Sequence, residues 1–135
     1  MERRLFEKCV RDSFLLIPEK FRQKVKNLAF IVDNDVSDSV RKEQGLQDNE
    51  TLLGLYTGIP LTERGVDYGV GVAMPDTIHI YQRPIEEEAN GDELKIKQII
   101  TDTVWHEVAH YFGFEEDSIM EREALGTNKT QPKKE

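Results

Sequence analysis

The sequence predicts a mixed fold of helices and short strands in a single domain. Three observations carry this expectation. An apolar stripe at helical spacing opens the chain, and short strand-forming runs follow at 28–32, 52–57 and 76–85. A helical segment of about 20 residues then leads up to Gly113. At 135 residues the chain has the size of one domain with one core. Residues 1–125 are read as that domain, and the polar segment 126–135 as a disordered tail.

Each element has its own signal. Leu5, Phe6, Cys9, Val10 and Phe14 recur at helical spacing, so residues 2–15 form an amphipathic helix with Cys9 as a small buried residue on its stripe. Pro18 interrupts it and starts a second, shorter helix reaching Lys26. Leu28 to Val32 is an apolar run read as a buried strand, and 33–50 is a polar loop with a helical turn at 39–44. Residues 52–57 form a strand leading into a turn, and 64–75, with three glycines and Pro75, form an irregular loop. In the strand "DTIHIYQRPI" (76–85), Pro84 removes a ladder donor and points to a sheet edge. Glu86 to Ala89 reads as a solvated connection. Asn90-x-x-Glu93 has the form of a capping box and Gly113 that of a C′ residue, which sets the long helix at about 91–112.

That helix has an unusual face. With His106 at zero and about 100° per residue, His110 falls at about 40° and Glu107 at about 100°. Ile96, Ile99, Ile100 and Thr103 share the same arc, whereas Lys95, Gln98 and Asp102 fall on the other side and face solvent. Two imidazoles and a carboxylate thus sit on or beside a mostly apolar arc. Burying an unpaired carboxylate costs several kcal/mol or neutralises it. A divalent cation removes the conflict, because it binds neutral imidazoles and supplies positive charge.

His106-Glu107-x-x-His110 also suits zinc chemistry. Imidazoles at i and i+4 lie one above the other and can reach one ion. Glu107 lies too far around the helix to be a ligand of the same ion, but it can hold a water beside it. Zinc lowers the pKa of such a water to near 7, and the glutamate can pass its proton to a leaving amine. The expected reaction is hydrolysis of a peptide bond, with one catalytic Zn2+ as cofactor. A catalytic zinc usually has three protein ligands and an open position. In "WHEVAHYFGFEED" (105–117) Gly113 turns the chain back, so Glu116 stands where a third ligand is wanted, with Asp117 as the alternative if the turn is one residue longer.

On "HEVAHYFGFEED", "LLGLYTGIPLTERG" and "IHIYQRPI" the sequence resembles the zincin-like metallopeptidases, within them a minimal, metzincin-like family formerly listed as a domain of unknown function. The resemblance covers about residues 5–125. It implies an α+β fold in which a small mixed sheet with an antiparallel edge strand packs on the N-terminal helices and on the active-site helix. In larger relatives an edge strand pairs with extended substrate. Ile78 to Arg83 would be that strand, making Ile78, His79, Ile80 and Tyr81 substrate-binding. Metzincins usually place His or Asp where Glu116 stands, and a methionine turn beneath the metal. Met120 lies too close to His110 for that role.

Other residues carry weaker signals. His79 could face the cleft, Tyr111 is expected in the core, and Arg64 and Tyr68 could line the cleft. Asp33, Asp35 and Ser37 resemble the start of a calcium loop, but the glycine at its sixth position is absent and Gln44 replaces the bidentate glutamate.

The net charge of -8 argues against nucleic acid as a partner. No stretch approaches a membrane span, and Cys9 alone makes no disulfide within the chain. The expected setting is cytoplasmic and the expected partner a peptide or protein substrate. Two other functions compete: a metal-dependent endoribonuclease, and a non-catalytic module that binds zinc or peptide. One endoribonuclease family has a similar histidine spacing, but with a histidine as third ligand and no glutamate after the first. A structural zinc site would have four protein ligands and no open position.

Overall fold

The computed structural model describes residues 1–58 and 75–113. Among the described residues the elements follow in the order α1 (Arg3–Leu15), α2 (Glu19–Arg22), β1 (Leu28–Asp33), α3 (Asp38–Glu43), β2 (Gly54–Thr57), β3 (Asp76–Tyr81), α4 (Gln82–Glu88) and α5 (Glu93–Tyr111). The architecture is α+β, with a three-stranded mixed sheet against a long helix. The expected tail at 126–135 lies outside the described residues.

The sheet order is β1-β3-β2. β1 runs parallel to β3, with Leu28 opposite Asp76 and Asp33 opposite Tyr81. β2 runs antiparallel, with Gly54 opposite Ile80 and Thr57 opposite Thr77. The strand expected at the edge is therefore the central one. It ends at Tyr81, and Pro84 is the third residue of α4, in a first turn where its missing N–H is not needed. The proline marks a helix start rather than a sheet edge. Because β3 is paired on both sides, the main chain of Ile78, His79, Ile80 and Tyr81 offers no open edge to an extended peptide. Among the described residues the antiparallel edge strand is β2. β1, expected to be buried, is a half-buried edge strand.

Alternation along β3 sends Ile78 and Ile80 to one face, where both are fully buried. There they join Phe6 and Val10 of α1, Ile85 of α4, and Ile96, Ile100, Val104 and Val108 of α5. These four α5 residues are spaced by four, so they form one stripe, and burying each is worth about 1.5–3 kcal/mol. Ala89, expected in a solvated connection, is fully buried against this cluster.

α5 begins two residues later than the capping-box reading. Asp92 is the N-cap and accepts from the Lys95 N–H at 3.2 Å. Asn90 takes a φ of +52° in the turn after α4, which asparagine tolerates, so it cannot be the cap. Asp102, expected to face solvent, is buried. Thr101 to Val104 are all buried, and four consecutive residues span the whole circumference, so the helix is enclosed there.

Three contacts fix α5 in place. The Ser13 and Thr101 hydroxyls meet at 3.0 Å, and the Trp105 indole N–H donates to the Ser13 carbonyl at 3.2 Å. At the far end the Tyr111 hydroxyl donates to the Lys26 carbonyl at 3.0 Å and accepts from the Lys26 N–H at 2.9 Å. This ties the end of α5 to the entry of β1, and it is the core role expected for Tyr111.

Candidate metal centre

The last two turns of α5 carry His106, Glu107 and His110. The two histidine rings lie 4.8 Å apart at 72°, with their Nε2 atoms 3.2 Å from each other. Nitrogen ligands about 2.0–2.1 Å from a tetrahedral ion stand about 3.3–3.4 Å apart. The observed separation matches that edge closely, so the pair fits a divalent ion such as zinc. One ligand atom from each of His106, Glu107 and His110 lies within 4.8 Å of the others. Among the described residues no second group of three such side chains gathers.

The helix end adds to this. The final carbonyls carry the negative end of the helix dipole, which favours a cation near His110. Gly113 donates its N–H to the His110 carbonyl at 2.8 Å and takes a φ of +86°, the left-handed turn of a C′ glycine. The chain leaves the helix one turn beyond His110. Glu116 and Asp117, and with them Arg64, Tyr68 and Met120, lie outside the described residues.

β2 closes the site from the sheet side. The Tyr56 N–H donates to Glu107 Oε1 at 2.9 Å. A Cβ at Gly54 would stand 2.6 Å from Thr103 Cγ2 and 3.3 Å from Glu107 Cγ. Only glycine lets the strand approach the helix this closely. Sequence reasoning missed both residues. The one available signal was a glycine inside a strand, which marks a close backbone approach as often as a bulge.

His79 lies elsewhere. Its Nδ1 sits 2.6 Å from Asp33 Oδ2, and its ring stacks with that of Tyr81 at 6.3 Å. By alternation both point away from the face that holds Ile78 and Ile80. Burial pushes the Tyr81 phenol up, and the Asp33 and Glu107 carboxylates add to this. Cys9 is only half-buried, and burial pushes its thiol up as well.

A family model of zincin-like metallopeptidases matches residues 25–125. The chain belongs to the zincin-like metallopeptidase family. No curated protein matches it. The zincin match takes in all three strands and the whole of α5, together with 114–125, and begins after α2. A metallopeptidase family and a side-chain group able to hold a divalent ion thus coincide on one helix. Among the described residues no helix is long and apolar enough to cross a membrane.

Proposed function

We propose that the chain is a zinc-dependent peptidase, with His106 and His110 as metal ligands, Glu116 or Asp117 as the third, and Glu107 as general base. The 3.2 Å approach of the two Nε2 atoms beside the Glu107 carboxylate is the observation that carries this reading. Membership of a peptidase family favours it over the endoribonuclease and the structural-zinc alternatives.

A bound zinc would supply Lewis acidity, polarising the scissile carbonyl and acidifying the attacking water. The rest is the work of the chain. Tyr56 holds one oxygen of Glu107 through its main-chain N–H, which fixes the orientation of the carboxylate. Glu107 takes a proton from the attacking water as the new C–O bond forms. It then gives that proton to the departing amine nitrogen as the C–N bond breaks, so the carboxylate is regenerated each turnover. The substrate class is a peptide or protein. A reducing, cytoplasmic setting accompanies this reading, since the single cysteine makes no disulfide within the chain.

The test is the zinc-loaded Glu107→Ala variant on a denatured protein substrate. Zinc content should match the unsubstituted chain while hydrolysis disappears. Hydrolysis at the original rate would refute the assignment of the base.

A further inference from the structure

Along an antiparallel ladder, paired and outward-facing residues alternate. Leu53 accepts from the Tyr81 N–H at 2.9 Å, so the odd-numbered residues of β2 bond to β3 while Gly54 and Tyr56 turn their main-chain groups to the side away from β3. The outward N–H of Tyr56 is the group that reaches Glu107. Its side chain is anchored separately. The Tyr56 hydroxyl donates to Asp76 Oδ2 at 2.7 Å, and its ring meets that of Tyr111 edge-on at 6.1 Å. Asp76 is 3% exposed, at the start of the central strand, and its N–H donates to the Asn27 carbonyl at 3.0 Å. A side chain at Gly58 would overlap the Asp76 carboxyl group, so the chain leaves room for that carboxylate next to β2.

We infer that Tyr56 and Asp76 are positioning residues for Glu107. The buried Asp76 carboxylate holds the Tyr56 hydroxyl, the hydroxyl sets the edge of β2, and the Tyr56 N–H sets the Glu107 carboxylate. This rests on the reading of Glu107 as the base. It also gives a buried acid 31 positions before Glu107 (107 − 76) a task in the site, although it is not itself the base.

The experiment is amide hydrogen exchange by NMR on the zinc-loaded full chain. Tyr56→Phe keeps the ring and the main-chain N–H and removes only the hydroxyl. Exchange at position 56 should rise about tenfold, as expected when a hydrogen bond to a charged acceptor loosens. The amides of Leu55 and Thr57, which face β3, should keep their protection. In a Glu107→Ala background the same substitution should add nothing. Asp76→Asn retains an acceptor oxygen and should protect position 56 better than Asp76→Ala does.

Unchanged exchange at position 56 in Tyr56→Phe would overturn the inference. So would equal acceleration at 55, 56 and 57, which signals general loosening of the strand. Because exchange needs no substrate, the two failures separate. Full hydrolysis by Glu107→Ala removes the base, whereas an inactive Glu107→Ala with unmoved exchange in Tyr56→Phe removes only the positioning.

Discussion

The chain has three histidines, and they sit in two environments that differ in what completes them. His79, on the central strand, finds its partner within the sheet, where the Asp33 carboxylate of the neighbouring strand lies 2.6 Å from Nδ1. His106 and His110 instead turn like atoms toward each other, two Nε2 nitrogens 3.2 Å apart on one helix. A carboxylate beside an imidazole nitrogen accepts a hydrogen bond from it when that nitrogen carries the proton. Two imidazoles converging on one point, with a glutamate alongside, form a group that could hold a cation. The residue type is the same in both places, and spacing decides the chemistry.

The contrast can be broken in graded ways. Glu107→Ala should have the largest effect, lowering hydrolysis by about 10²–10⁴-fold, the usual contribution of a general base. Zinc content should not change, and a parallel metal assay checks that. Next comes the third ligand. Glu116→Ala should lower zinc affinity by more than the ~10–100-fold that supporting residues cost, and Asp117→Ala by less. Competition with a chelating dye measures both, and the reverse order would assign Asp117.

Gly54→Ala pushes a methyl group into Thr103 and Glu107, with Thr103 Cγ2 only 2.6 Å from the new carbon. Overpacking of this kind costs about 1–3 kcal/mol, visible as a lower denaturant midpoint. The smallest effect belongs to His79→Ala. Its pair with Asp33 is half-exposed and should be worth only about 0.2–1 kcal/mol, with no change in zinc. A large loss of zinc in that variant would erase the distinction between the two environments.

Much of this was legible in the sequence because the signals are local. The stripe through Phe6 and Val10 shows α1, the C′ glycine shows the end of α5, and the histidine spacing places two imidazoles on one turn. Pro84 misled because a proline at a strand end and one in the first turn of a helix look alike locally. Ile85 extended the apparent strand, yet it is buried from α4. Asn90 reads as the cap of α5, but it lies in the tight turn after α4 and Asp92 is the N-cap. The bond from Tyr56 to Glu107 joins residues 51 positions apart, and no local pattern encodes it. It follows from the sheet order, which the edge reading of 76–85 had inverted.

The central claim is that His106 and His110, and not His79, hold a metal. Its most direct test is elemental analysis of the purified chain beside His79→Ala, His106→Ala and His110→Ala, each reconstituted with zinc and desalted. The account predicts near-stoichiometric zinc in the unsubstituted chain and in His79→Ala, and its loss from the other two. Zinc that persists in His106→Ala and His110→Ala, or none in any of the four proteins, would contradict it.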